Sequence, residues 1–411
     1  MSVTNLPAAA RGALRALALA LATMLAACGG GGGSAGGPAA PAAQTITLSK
    51  SGNGELLPGA AAVSLTATPD VAGTVRWSVD AGPGTLSAAS GATVSYTPPA
   101  AAVSAPTSVV ITAKAGNASQ STTLTLYPDP GAPGVWLVAG DVYHDGLSAA
   151  PFTIIEKDGQ GAAAIFGRPR VLAADNSGNL YVIDYAAGFY DTHSSGTIEL
   201  ILRKVTPAGD VTTLAHDTSE AAQPNSMVVD KAGNIYIASQ KLDDTRSPRA
   251  LGGDIRKVTP GGAVSVLAGS ITSVGVRDGS GAAASFVGAS LAGIDADGNL
   301  YVNDRDASFN HQLTLRKVTP QGVVTTIASL PTGLAQAPDG YTYAADSSQA
   351  LLYRTAADGT RSTLAGVAGQ QGTVLGTLPG GLQYPMSAVR TGPASVAVIS
   401  GSGIVKVVLP H

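Results

Sequence analysis

Through most of this chain apolar and polar residues alternate in short runs that end at Gly, Pro, Asn or Asp. A period of two sends successive side chains to opposite faces, so each run reads as a half-buried β-strand. Between Thr45 and Tyr127 the runs are Thr45-Ile46-Thr47-Leu48, Val63-Ser64-Leu65-Thr66-Ala67, Val75-Arg76-Trp77-Ser78-Val79, Val94-Ser95-Tyr96-Thr97, Val109-Val110-Ile111-Thr112-Ala113 and Thr123-Leu124-Thr125-Leu126. With Gly84-Thr85-Leu86-Ser87 they make about seven strands, which suits a β-sandwich. Trp77 falls on an inward-facing position of its strand and is assigned to the core rather than to a sugar-stacking surface.

After Pro130 the alternation itself repeats. Gly178-Asn179-Leu180-Tyr181-Val182, Gly233-Asn234-Ile235-Tyr236-Ile237 and Gly298-Asn299-Leu300-Tyr301-Val302 are one hairpin three times, entered from Asp175, Asp230 and Asp295. Each leads to a strand ending Arg-Lys-Val-Thr-Pro, at Arg203, Arg256 and Arg316, and then to another such as Val211–Ala215 or Val264–Ala268. Four strands per unit predict a propeller blade. A degenerate fourth copy runs through Tyr341-Thr342-Tyr343, Leu352-Tyr353-Arg354 and Ser362–Gly366, and a fifth holds Ser395–Ile399 and Ile404–Val408 but lacks an outer strand. Val135–Gly140 ends in the same Ala-Gly as the outer strands at Gly269 and Gly366, so the ring is expected to close by pairing this segment into the last unit. Closure removes the exposed edges of an open array.

Two resemblances follow. The order Trp77-Ser78-Val79, Gly84–Ser87, Tyr96-Thr97-Pro98-Pro99, Ile111-Thr112-Ala113 resembles bacterial immunoglobulin-like domains. The repeats, with the linker Asp158-Gly159-Gln160-Gly161-Ala162-Ala163-Ala164-Ile165-Phe166 and its copy from Asp278 to Phe286, resemble NHL-repeat β-propellers over Val135 to Leu409. That family more often has six blades; five are counted here, with six still open.

The N-terminus departs from the strand pattern. Arg11 and Arg15 precede an apolar stretch, Leu14 to Ala27, too short to span a bilayer comfortably. It ends in Leu25-Ala26-Ala27-Cys28-Gly29, which resembles the lipobox of bacterial lipoproteins, in which the cysteine takes a diacylglyceryl group. Gly29 after it, by the same resemblance, favours the outer membrane. The expected organisation is a signal peptide over 1–27, lipidated Cys28 and a linker to 44, an Ig-like sandwich over 45–128, and the propeller over 134–411. A flexible linker of ~15 residues reaches roughly 20 Å.

Composition narrows the function. Among 411 residues only 12% are charged and the net charge is -3, so no nucleic-acid footprint is present. Cys28 is the only cysteine, which excludes an intramolecular disulfide. No phosphate loop, serine-hydrolase elbow or Cys/His zinc spacing occurs, and no cofactor is implied.

In a propeller the connections fall alternately on two faces. One set is short, as at Asp175–Asn179 and Pro207–Asp210; the other is long and irregular, at Asp184–Ile198, Ser239–Asp254, Asp304–Gln312, 141–169 and 269–288. Variable loops on a rigid scaffold mark the binding face. It would carry Tyr143, His144, Asp145, Tyr190, His193, Arg246, Arg305, Phe309 and His311, with Tyr185, Phe189, Asp191, Lys241, Asp243, Asp244 and Asp306 beside them.

His193 and His311, on equivalent loops, could share a metal with Asp184 or Asp304, as in related propeller lyases and lactonases. Yet Asp184, Asp304 and Asp346 recur at one blade position, and recurrence points to structure. Asp295-Ala296-Asp297-Gly298-Asn299 lacks the later acidic ligand of a calcium loop and coincides with a hairpin turn, where Gly298 and Asn299 are expected to supply positive φ. The reading is a membrane-anchored binding or scaffold protein that engages a protein, glycan or small ligand. The alternative is a hydrolase or lyase acting outside the cytoplasm.

Overall fold

The computed structural model describes residues 44–142, 156–185, 200–217, 223–242, 250–305, 313–331 and 337–410. Among the described residues the chain is all-β apart from two short 3-10 turns, and no helix is long and apolar enough to cross a membrane.

From Ile46 to Leu126 two four-stranded sheets face one another. One is ordered Ile46–Lys50, Val63–Pro69, Thr93–Thr97, Thr85–Leu86; the other Glu55–Leu56, Ala118–Leu126, Thr107–Ala115, Arg76–Ala81. Alternation does the work the sequence assigns to it: Val63, Leu65 and Ala67 turn inward while Ser64 turns out. Leu65, Tyr96, Ile111 and Leu124 close the core. Trp77 lies in it, and its Nε1 donates to the Gly91 carbonyl at 2.8 Å. The sheets hold eight strands rather than seven. The unforeseen one, Glu55–Leu56, is too short to show a period and pairs in parallel with Thr125–Leu126.

Five antiparallel sheets follow, arranged as in a β-propeller. The first runs from its inner strand Arg168–Ala174 through Leu180–Tyr185, Leu200–Val205 and Asp210–Asp217 to the short Gly159–Gln160. The second comprises Gln223–Val229, Ile235–Leu242, Ala250–Val258 and Val264–Gly269; the third Ser290–Ile294, Leu300–Arg305, Leu313–Val318 and Val323–Ile327, with the short Gly279–Ser280 paired outside it. Thr342–Asp346, Leu351–Thr355 and Arg361–Ala365 form the fourth among the described residues. Ala388–Gly392, Ser395–Ser400, Ser402–Val408 and the N-terminal strand Gly134–Asp141 form the fifth. The last pairing sets Lys406 opposite Trp136 and Ile404 opposite Ala139, so the ring is joined by the segment that precedes it. Cores of Val, Ile, Leu and Tyr fill the spaces between successive sheets.

Candidate functional site

The short turns of the first three sheets have one chemistry. Asp175 Oδ1 accepts the N–H groups of Ser177 and Asn179, and its Oδ2 accepts Asn179 Nδ2 and the Tyr181 hydroxyl. Asp230 and Asp295 make the same set with Asn234 and Tyr236, and with Asn299 and Tyr301. Only the glycines, at φ near 80° in Gly178, Gly233 and Gly298, take the left-handed backbone. The asparagines therefore act through their amides, not through φ as expected. These bonds oppose burial and hold Asp230 and Asp295 below the usual carboxylate range. The Asp295 carboxylate is thereby saturated within its own turn.

On the opposite face, the connections from Tyr185 to Leu200, Leu242 to Ala250 and Arg305 to Leu313 join the second and third strands. Tyr143, His144, Asp145, Phe189, Tyr190, Asp191, His193, Asp243, Asp244, Arg246, Asp306, Phe309 and His311 lie outside the described residues. Arg305 closes its strand at this face and Lys241 is half-buried. Tyr185 is largely buried, and its hydroxyl donates to the Pro224 carbonyl at 3.1 Å. The asymmetry of lengths stops with the third sheet: the fourth sheet turns from Asp346 to Leu351 and the fifth through Gly401 alone.

Asp184 and Asp304 are fully buried and already engaged. Asp184 accepts the N–H groups of Gly167 and Arg168 at 3.0 and 2.7 Å and lies 3.4 Å from Arg203 Nη1. Arg203 Nη2 reaches Asp158 at 2.9 Å, and the guanidinium stands 5.3 Å from the Phe166 ring centre. Asp304 repeats this with Val287, Gly288, Arg316, Asp278 and Phe286, again at 5.3 Å to the ring. The linker that carries the family resemblance is thus a latch. Its aspartate and phenylalanine clasp an arginine of the sheet that follows, and its phenylalanine packs on the glycine ending the sheet before. A Cβ on Gly140 or Gly269 would stand 2.6 Å from Phe166 or Phe286. Burial pushes the Asp184 carboxyl up to about 7, against the Gly167 N–H, Arg203 and the Arg168 N–H.

Asp346 does not share this role. Tyr353, across from Ala344, holds the place that Arg203 holds across from Val182, and Asp346 instead caps its own turn through Ser348 and Gln349. In the second sheet Ser239 replaces the aspartate, and Arg256 pairs with Asp254 at 3.0 Å. Two of the four proposed metal ligands are therefore parts of a latch. Among the described residues no group of three or more His, Cys, Asp or Glu side chains is placed to hold a metal ion.

At the same face the inner strands are stitched by hydroxyls absent from the sequence reading. Ser387 Oγ accepts the Leu172 N–H, and Ser226 Oγ accepts that of Leu291. Both serines stand in Pro-x-Ser, at Pro224-Asn225-Ser226 and Pro385-Met386-Ser387, a repeat that could have been read. Beside this seam Arg170 Nη1 lies 3.2 Å from Met386 Sδ, and Tyr384 is exposed at φ 40°.

The sandwich rests on part of the short-turn face. Arg390, on the inner strand of the fifth sheet, donates to both carboxylate oxygens of sandwich Glu55 at 2.8 and 2.6 Å, and its Nε donates to Asp339 at 2.8 Å. Tyr343 donates to the same Asp339 at 2.6 Å. The Arg390 side chain is 9% exposed and that of Glu55 7%. Sandwich Tyr127 packs near Gly392, and Pro106 near Gly178. The sandwich thus meets the turns of the first, fourth and fifth sheets.

No family model matches this chain, and a search of curated proteins returns no match. Solved structures that resemble it include a protein of unknown function from Bacteroides thetaiotaomicron, at 14% identity over 89% of this chain and 98% of that one, TM-score 0.29. An auxiliary nutrient binding protein from Bacteroides ovatus matches at 14% over 88% and 97%, TM-score 0.26. The calcium-binding protein regucalcin from Agrobacterium tumefaciens matches at 15% over 67% and 93%, TM-score 0.30. At these scores the likeness decides nothing about function.

Proposed function

We propose that this protein is an extracytoplasmic binding protein, tethered by a lipid on Cys28, in which an Ig-like sandwich caps one face of a five-bladed NHL-type propeller. The opposite, long-loop face engages a protein, glycan or small ligand. The observation that carries this reading is the Arg390 clamp, which commits part of the short-turn face to the protein's own sandwich. The long-loop face has no such occupant among the described residues. Loops that differ in length on a scaffold of matched strands supply the variable chemistry that recognition needs. The hydrolase or lyase alternative draws two of its four ligands from Asp184 and Asp304, which the latches hold.

A photoreactive side chain placed in turn at Tyr190, Phe309, Lys231 and Asp297 tests the assignment in cells. Crosslinks from the first two positions alone are expected. Crosslinks from the last two alone would overturn the choice of face. Metabolic labelling with palmitate tests the anchor: label should enter the wild type and not Cys28→Ala.

A further inference from the structure

The repeats place an aromatic ring beside a cation in four sheets and leave it out of one. Tyr181 stands across its ladder from Lys204, Tyr236 from Lys257, Tyr301 from Lys317 and Tyr343 from Arg354. In the fifth sheet the residue across from Lys406 is Ala397. The aspartate that binds the tyrosine hydroxyl is replaced as well. Asp175, Asp230 and Asp295 each precede their tyrosine by the spacing that separates Thr391 from Ala397. The orientation is conserved, since Tyr181 and Ala397 each pack toward the next sheet round the ring.

A cavity of about 120 Å³ opens where the ring is missing. Its walls include Ala397 and Lys406, with Tyr127 and Pro128 from the sandwich side and Pro207 from the first sheet. A second cavity of about 320 Å³ shares Lys406, Val138, Pro130 and Pro207 and extends to Trp136, the residue paired with Lys406 on the closing strand. The two together reach the size range of ligand sites, which are mostly apolar with a few polar anchors. Lys406 is half-buried and its ammonium makes no hydrogen bond among the described residues. Asp129, whose charge acts on it, uses Oδ1 to accept the Gly131 N–H at 2.8 Å. Burial lowers the Lys406 pKa, against Asp129. A desolvated ammonium in an apolar pocket is stabilised by an anion.

We propose that this junction is a second binding site, which takes a small organic acid with a flat, ring-sized apolar body and seats its carboxylate on Lys406. The body takes the volume that a phenol ring fills in the other sheets, and Trp136 lies along the outer lobe. The site belongs to the seam between sandwich and propeller and is separate from the long-loop face. Its occupant would touch both domains at once.

Benzoate is the probe, with benzamide as its neutral counterpart. Titrated calorimetrically into the full-length chain, benzoate should bind saturably and benzamide at least about tenfold more weakly, the loss expected for a charged hydrogen bond. The binding should also change the emission of Trp136, because the only other tryptophan, Trp77, is in the sandwich core. Ala397→Tyr restores the repeat, should leave the thermal midpoint unchanged or higher, and should abolish the binding. Lys406→Met should weaken benzoate about tenfold or more and leave benzamide unaffected. No saturable binding, equal binding of benzamide, or retention of benzoate by either variant would overturn the proposal.

Discussion

The two faces of the propeller follow different rules. On one, the turns of the first three sheets are closed by Asp175, Asp230 and Asp295 through matching hydrogen bonds, and the sandwich rests there on Arg390. On the other, the connections after Tyr185, Leu242 and Arg305 share neither length nor sequence, while the fourth and fifth sheets turn tightly. Of the uniform turns the sandwich meets that of the first sheet, at Gly178, and its clamp lies on the fourth and fifth sheets. Irregular connections on the far side leave that docking untouched whatever their sequence, so recognition can vary there without loss of fold.

The comparison breaks first at the clamp. Arg390→Met leaves the buried Glu55 carboxylate and the half-buried Asp339 without their cation and should cost about 3–5 kcal/mol. Calorimetry should then show the sandwich and propeller melting separately, where the wild type melts as one. Next is the latch. Gly269→Ala puts a Cβ 2.6 Å from the Phe286 ring at φ 81°, and the strain with the overpacking should cost about 2–4 kcal/mol. A change of the same size at Gly359, whose Cβ would meet nothing within 4 Å, should cost only the backbone part.

Most of the fold was legible because alternation is local: Val63-Ser64-Leu65 declares its inward face without reference to any distant residue. The closing strand was legible too, since Ala139-Gly140 repeats the ending of Ala268-Gly269. The clamp was not. Glu55 and Arg390 lie at opposite ends of the described chain, and neither interrupts a pattern. Recurrence alone overcounted the latch, grouping Asp346 with Asp184 and Asp304, because the latch needs an arginine on the neighbouring strand and Tyr353 holds that position in the fourth sheet. The long-loop face was legible as a difference in length. Its candidate side chains are ordered by no repeat, and apart from Tyr185, Lys241 and Arg305 they lie outside the described residues.

Smaller effects sharpen the comparison. Asp158, Asp278, Asp230 and Asp295 are held below 3.8 in the fold. Their stabilisation is full above that pH and is lost as the pH falls below it through the lowered values. Asp184 has the opposite sign: raised to about 7, it contributes fully below 3.8 and loses that contribution as the pH rises through about 7. Thermal midpoints across this range should therefore fall on both sides, and Asp184→Asn should flatten the alkaline limb alone. Asn234→Ala, which removes the bond to Asp230 Oδ2, should cost about 1 kcal/mol and leave partner capture at the long-loop face intact.

The central claim is that the sandwich is a docked cap and not a loose spacer. Spin labels at Ser119→Cys on the sandwich and Lys231→Cys on a short turn of the second sheet, both exposed, report it directly once Cys28, the only native cysteine, is changed to Ser. Pulsed dipolar spectroscopy should give one narrow distance distribution, broadened by Arg390→Met. A broad distribution in the presence of Arg390, unchanged by its removal, would contradict the account.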